Sequence, residues 1–96
     1  MKPPARTIWK FPFVLEDRVT INVPESAEVR SVGLDPEHRP CVWCEVSDAP
    51  TADLEHQRKK SLTLFIVGTG NPIPEVARTY LGLIIHGPFV WHFYTT

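Results

Sequence analysis

Proline is the residue that most constrains this chain, since it occurs ten times in 96 residues. Proline interrupts helices and central strand ladders, so its spread along the chain divides the sequence into short segments. Long helices are therefore disfavoured. We expect a mainly β fold: a small antiparallel sheet folded as a compact barrel or sandwich, with at most one short helix. The length suits a single domain over residues 1–96, with residues 1–5 as a disordered arm.

The clearest strand signal is period-2 alternation. Val19, Ile21 and Val23 alternate with polar residues, and the pattern ends at Pro24. β-branched and aromatic composition between turn residues predicts further strands over 7–14, 27–34, 40–46, 62–67, 81–86 and 89–94. Residues 48–60 are predicted to form a solvated loop or a short helical turn, and residues 74–80 one helical turn.

Gly87-Pro88 separates the last two predicted strands and favours a two-residue hairpin, with glycine at the position that needs positive φ. This register places Ile84 opposite Trp91 and puts His86, Phe89 and Phe93 on their side of the ribbon. The other side carries Leu81, Leu83, Ile85, Val90, His92 and Tyr94. Both sides are apolar, so we expect a helix, a loop or a second subunit to cover the second face, and we favour a homo-oligomer.

Charge and hydropathy limit the partners. The net charge of −1 provides no general attraction to nucleic-acid phosphates, so we expect no nucleic-acid partner. No apolar stretch approaches the ~20 residues of a membrane helix, and we expect no membrane partner. The absence of an apolar leader core further predicts a cytoplasmic protein, in the host cytoplasm if the chain is phage-encoded.

The cysteines and histidines form no recognised catalytic or metal motif. Cys41 and Cys44 lie inside a strand pattern, where residues three apart point to opposite faces, so we expect buried free thiols. His38 and His56 could complete a ligand set with them, although the spacing matches no familiar site. The carboxylates are scattered. We therefore predict no catalytic residues, no metal, no cofactor and no enzymatic activity.

One loop is a candidate ligand site. Gly68-Thr69-Gly70-Asn71 could direct successive backbone amides at an anion, with Thr69 and Asn71 adding polar contacts. Trp91 and His92, on the aromatic hairpin, are the candidate neighbours of this loop. The alternative is a tight turn between strands, with the aromatic side chains in the core.

Several segments together carry a resemblance to a known family. They are Ile8–Phe11, Val23–Ala27, Pro40–Trp43, Val67–Pro74, Tyr80–Gly82 and Val90–His92. With these segments the chain resembles a family of short uncharacterised bacteriophage and bacterial proteins that share a Gly-Thr-Gly-x-Pro-x-Pro segment. The chain departs from them at Asn71, where relatives tend to carry His, and at Cys44, and both departures weaken a shared metal site. The resemblance implies a compact, phage-type accessory protein.

Three functions follow as hypotheses. The leading one is a non-enzymatic protein that binds and sequesters a host small molecule, a phosphate-bearing nucleotide-type signal, to counter host defence. The second is a stoichiometric inhibitor that binds a host defence complex through a sheet edge or an apolar patch. The third is a small metal-binding or enzymatic domain that uses histidine and cysteine.

Overall fold

The computed structural model describes residues 5–47 and 58–96, and within these ranges it is all β, with no helix. The strands are β1 (Arg6–Pro12), β2 (Arg18–Pro24), β3 (Glu28–Leu34), β4 (Pro40–Ser47), β5 (Lys59–Gly68), β6 (Thr79–His86) and β7 (Phe89–Thr95). The expectation of a mainly β chain is confirmed. Residues 1–4 of the arm predicted over residues 1–5, and most of the predicted loop, residues 48–57, lie outside the described residues.

Two antiparallel sheets pack as a small sandwich. The three-stranded sheet has the order β1-β4-β3, and the four-stranded sheet has the order β2-β5-β7-β6. Each sheet turns one face, its inner face, toward the other sheet. Leu64 and Phe93 from the four-stranded sheet and Val42 from the three-stranded sheet are completely buried in the shared core. The sandwich expectation is therefore confirmed.

The predicted strands recur with small shifts at their ends, and the differences have local causes. β5 starts at Lys59 rather than at residue 62, because Lys59 and Lys60 pair with Pro24 and Val23 of β2. The prediction of a loop at these two residues was wrong. The helical turn predicted over residues 74–80 is also absent: Pro74 to Ala77 form a hydrogen-bonded turn, and Thr79 already belongs to β6.

The β6–β7 hairpin has the predicted turn and register. His86 pairs with Phe89 and Ile84 with Trp91, and Gly87 has φ of 60°. Positive φ at the first turn residue, followed by a proline whose φ is held negative, defines a type II′ turn. The alternation breaks further from the turn, where a β-bulge lies between Tyr80 and Gly82.

This bulge corrects the predicted position of Leu81. Strict alternation would place Leu81 opposite Tyr94, but Tyr80 takes that position and Leu81 becomes the extra residue. Gly82, with φ of 141°, provides the backbone conformation that the irregularity needs. Tyr80 therefore lies on the outer face of the four-stranded sheet, beside His92 and Tyr94.

The connection from β5 to β6 crosses over β7. Both strands run antiparallel to β7, which lies between them, so they are parallel to one another. A short hairpin cannot join parallel strands. Residues 69–78 make the connection instead, and Ile73 within them lines a cavity with the outer-face residues His92 and Tyr94. The structure describes no helix long and apolar enough to span a membrane.

Candidate functional site

The Gly68–Asn71 segment is a β-turn docked against β7. The Asn71 amide donates to the Gly68 carbonyl at 3.0 Å, and the Thr69 amide donates to the Val90 carbonyl at 3.2 Å. Gly70 has φ of 93°, which a side chain would strain. Two of the amides that an anion nest would use are thus already bonded to carbonyls of this chain. The polar groups that this turn offers a ligand are mainly side chains.

His92 joins this turn to β6. Its Nε2 lies 2.9 Å from Thr69 Oγ1, and its Nδ1 lies 2.9 Å from the Tyr80 hydroxyl. A neutral imidazole has one N–H, so one hydroxyl accepts from the ring and the other donates to it. Thr69 also donates over 3.5 Å to the Val90 carbonyl. The bonds are then all satisfied when Nε2–H donates to Thr69 and the Tyr80 hydroxyl donates to Nδ1.

A cavity of about 200 Å³ opens between this turn and the outer face of the four-stranded sheet. Its walls contain all four residues of the predicted loop and His92, together with Val67, Ile73 and Tyr94. Five of the six predicted ligand-binding residues therefore meet at one place. Val67, Ile73 and Tyr94 were missed by the sequence analysis, because the crossover that brings Ile73 to β7 has no local signature.

Trp91, the sixth predicted residue, lies on the opposite face of β7 from His92. It lines a second cavity of about 300 Å³ with Asp17 and Ile66, and Gly68 and Asn71 contribute to the walls of both cavities. Gly68 is favoured here by close approach. A Cβ at this position would lie 3.0 Å from the Asn71 side-chain nitrogen and 3.2 Å from the Trp91 ring. Trp91 and His92 thus occupy neighbouring sites on either side of the turn.

Comparison with known proteins places the chain in a family. The family model of a domain of unknown function, DUF7352, matches residues 4–96. The chain belongs to the DUF7352 family. No curated protein and no solved structure shows significant similarity to it. Membership therefore identifies the domain without assigning it an activity.

The cysteines of this DUF7352 domain are both buried free thiols. Cys44 packs in the core, whereas Cys41, three residues earlier in β4, points to the outer face of its sheet by strand alternation. Desolvation by burial raises the pKa of both thiols. Residues 5–47 and 58–96 contain no group of three or more potential metal ligands. His56 lies outside the described residues.

Asp35 is a buried polar residue that the sequence analysis did not single out. Its Oδ1 accepts from the amides of Glu37 and Arg39 at 2.9 and 2.8 Å, and its Oδ2 accepts from Lys10 Nζ and Arg39 Nε, each at 3.1 Å. The Arg39 amide is the largest of the influences that hold the pKa of Asp35 well below its usual range, against the effect of burial. Three of these four donors belong to Glu37 and Arg39 of the β3–β4 loop and the fourth to Lys10 of β1, which indicates a structural role.

A more open cleft of about 490 Å³ lies elsewhere in the DUF7352 domain. Pro12, Phe13, Val14, Leu15, Arg39, Pro40 and His86 line it. The Arg39 guanidinium is already paired with Asp35 at 3.1 Å and with Glu37 at 3.6 Å. The cleft is thus largely apolar and its one cation is engaged, whereas the 200 Å³ cavity presents several polar groups together.

Proposed function

We propose that this protein is a non-enzymatic binding protein that captures a small molecule in the cavity formed by the Gly68–Asn71 turn and His92. The observation that carries the proposal is the convergence of Thr69, Asn71 and His92 on one cavity beside Tyr94. Ligand sites commonly combine apolar and aromatic walls with a few placed polar groups. The cavity has this composition.

The hydrogen bonds of His92 support binding rather than catalysis. Both of its ring nitrogens already have partners at 2.9 Å, Thr69 and Tyr80. A general base needs a nitrogen within reach of a substrate proton. Here the ring instead orients two hydroxyl groups, and the hydroxyl oxygen of Thr69, which lines the cavity, keeps a lone pair with which it can accept from a ligand.

The ligand class that fits best is the base of a nucleotide-type molecule. Asn71, which lines this cavity and the neighbouring one, carries a donor and an acceptor side by side, the pairing that asparagine uses toward adenine edges, and Tyr94 offers an aromatic ring. The cavity of about 200 Å³ is smaller than a typical drug-sized pocket of roughly 300 Å³ or more. It would therefore hold one ring system, with the remainder of the ligand outside.

Any phosphate of such a ligand would point toward solvent. Among the described residues, the lining of the 200 Å³ and 300 Å³ cavities contains no lysine or arginine, and the second cavity contains Asp17. The two amides of the turn that donate to carbonyls would not bind phosphate without breaking those bonds. Recognition would thus depend on the base. The resemblance to phage proteins provides the context we propose, sequestration of a host defence signal.

Titration of the ¹⁵N-labelled protein tests the site with three probes: adenosine, adenosine monophosphate and inorganic phosphate. We expect adenosine and its monophosphate to shift the amide resonances of Thr69, Gly70, Asn71 and His92, and phosphate alone to leave them unchanged. Shifts produced by phosphate alone would show that the turn binds anions. Shifts located elsewhere, or none from either nucleoside, would contradict the base-binding site.

A matched pair of variants separates recognition from folding. Asn71→Ala removes the side-chain amide from the cavity, and a lost hydrogen bond of ~0.5–1.5 kcal/mol corresponds to roughly a 2- to 12-fold weaker affinity. Asn22→Ala makes the same change at an exposed position on β2 and should leave the affinity unchanged. Equal effects of both variants would argue against the site. Mass spectrometry of small molecules that co-purify from bacterial cells would identify the natural ligand.

A second candidate is a stoichiometric inhibitor of a host protein. The observation favouring it is the exposure of Leu83 and Ile85 on the outer face of β6, 44% and 64% respectively. A foreign protein recovered with the chain from host lysate, and lost on Ile85→Lys, would support this candidate.

A further inference from the structure

The four edge strands of the sandwich differ in how they are protected. β1 and β3 are the edges of one sheet, and β2 and β6 are the edges of the other. Three edges carry charged side chains: Arg6 and Lys10 in β1, Arg18 in β2, and Glu28 and Arg30 in β3. β6, with the sequence Thr-Tyr-Leu-Gly-Leu-Ile-Ile-His, has no lysine, arginine, aspartate, glutamate or proline. Natural sheets use such residues to prevent edge pairing, so β6 is the edge that lacks protection by charge or proline, and its bulge protects only its first half.

The turn geometry determines which backbone groups of β6 point away from β7. In a two-residue hairpin the residues flanking the turn exchange both backbone hydrogen bonds, and bonded pairs then alternate along the ladder. His86 pairs with Phe89, so the amides and carbonyls of His86 and Ile84 point toward β7. Those of Leu83 and Ile85 point outward, toward the free side of the edge.

The same two residues present apolar side chains to solvent. Leu83 is 44% exposed and Ile85 64% exposed, both on the outer face of the sheet, whereas Ile84 between them is buried in the core. The bulge between Tyr80 and Gly82 disturbs the first half of the strand. The regular part of the edge is therefore short and centred near Ile84.

We propose that two copies of this chain pair through antiparallel β6 strands, with a two-fold axis passing beside Ile84. Directly opposite residues of an antiparallel pair must lie on the same face. The register centred on Ile84 meets this condition, because it places Leu83 of each copy opposite Ile85 of the other. It also joins the outward amides and carbonyls of these residues in reciprocal pairs, and it avoids the bulge.

A second copy of this chain is the occupant that this edge favours. An antiparallel two-fold contact is self-complementary, since each strand provides the surface that the other needs. β6 has no charged side chain that would select a foreign strand by charge complementarity. Pairing would also bring the exposed Leu83 and Ile85 side chains of the two copies into contact. This inference is independent of the proposed ligand.

The dimer would consist of one continuous sheet formed by both four-stranded sheets. The two-fold axis of antiparallel edge pairing is perpendicular to the sheet, so the outer faces of both copies point to the same side. The 200 Å³ cavity beside His92 in one copy would therefore open on the same surface as that of the other copy. Each cavity would lie at β7, the strand next to the β6–β6 junction.

Two measurements on the unmodified protein test the proposal. Sedimentation equilibrium from micromolar to millimolar concentration should give twice the chain mass of 10.9 kDa. Amide hydrogen exchange followed by NMR should show protected Leu83 and Ile85 amides, which an isolated chain would leave open to water. A monomer mass throughout the range, or rapid exchange at both amides in a dimer, would overturn the β6 pairing.

Variants at Ile85 distinguish edge pairing from stacking of the outer faces. Ile85→Pro removes an outward N–H that β7 does not use, and Ile85→Lys places a charge on the exposed edge. Both should be folded monomers by circular dichroism and sedimentation. Val14→Lys, a matched change at a residue 75% exposed and outside the strands, should stay dimeric.

The outcomes separate the alternatives. If Ile85→Lys is monomeric while Ile85→Pro is a folded dimer, the copies stack through their faces and the edge proposal is wrong. If the chain is monomeric alone and associates only with a foreign protein, a second copy is not the occupant. Should Ile85→Pro fail to fold, the hydrogen exchange of the unmodified protein decides the question.

Discussion

Asp35 shows at the scale of one residue how a buried charge can organise a loop. Its carboxylate has no exposed surface, and it receives two backbone amides and two cationic side chains, from Lys10 and Arg39. A buried carboxylate is tolerated when its lone pairs are satisfied in this way. The Asp35 amide and carbonyl add bonds to Arg39 and His38, the latter with φ of 62°. One side chain thus connects β1 to the β3–β4 loop.

Replacing Asp35 by Asn should destabilise the protein in a pH-dependent way. The pKa of Asp35 in the folded protein is lowered, so its contribution to stability is present above the unfolded-state pKa near ~3.9 and is lost as pH falls below it. We therefore expect thermal unfolding of Asp35→Asn at a lower temperature than the parent at pH 7. The difference in unfolding temperature between the variant and the parent should become smaller toward pH 3.

Glu37→Gln is the control for this comparison. Glu37 is 73% exposed and pairs with Arg39 at 3.6 Å, so its removal should change the unfolding temperature little. A pH-independent difference between Asp35→Asn and the parent would show that the carboxylate charge is not what stabilises the loop.

β7 illustrates at the scale of an element how one strand serves two environments. Phe93 is completely buried and meets Phe13 edge to face at 5.7 Å, whereas Phe89 at the hairpin end is 56% exposed and stacks on Trp91 at 5.6 Å. His92 and Tyr94 alternate with these residues and face outward to the candidate site. The strand therefore connects the core to the binding face.

Alanine substitutions along β7 should reflect this difference. Phe93→Ala should lower the free energy of unfolding by about 3–5 kcal/mol, because it leaves a cavity in the core. Phe89→Ala should cost about 1 kcal/mol, mainly the aromatic contact with Trp91. Urea unfolding of both variants provides the measurement, and similar losses for the two would contradict the assigned faces.

The bulge in β6 explains why part of the site escaped the sequence analysis. Period-2 alternation assigned the position opposite Tyr94 to Leu81, which left Tyr80 out of the site. A glycine inside a strand often marks a bulge, so Gly82 was the available signal. With the bulge, the Tyr80 hydroxyl reaches His92 Nδ1 at 2.9 Å.

At the scale of the whole molecule, the two sheets share one core and should unfold together. Trp9 and Trp43 belong to the three-stranded sheet and Trp91 to the four-stranded sheet. In the variant Trp91→Phe, the remaining tryptophan fluorescence reports on the three-stranded sheet, and far-ultraviolet circular dichroism reports on both sheets. We expect the two signals to give the same urea midpoint. A slope of roughly 1–3 kcal/mol/M would suit a small domain. Two separate midpoints would contradict a common core.

The sequence by itself determined the elements whose cause is local. Alternation predicted β2, proline and glycine predicted the segment ends, and Gly87-Pro88 predicted the hairpin and its register, because these depend on φ preferences and on side chains two residues apart. The loop residues Gly68–Asn71 were likewise identified by composition. The same alternation placed His92 on the face of β7 opposite Trp91.

Only the tertiary structure decided which strands pair and which side chains the pairing brings together. β4 lies between β1 and β3, and the crossover over β7 brings the Gly68–Asn71 turn to His92 and Tyr94 while leaving Trp91 on the other side. Asp35 is buried because Lys10, distant in sequence, packs beside it. Period-2 alternation divides side chains between two faces, but it does not specify the neighbouring strand, since strand pairing depends on contacts between residues far apart in the chain.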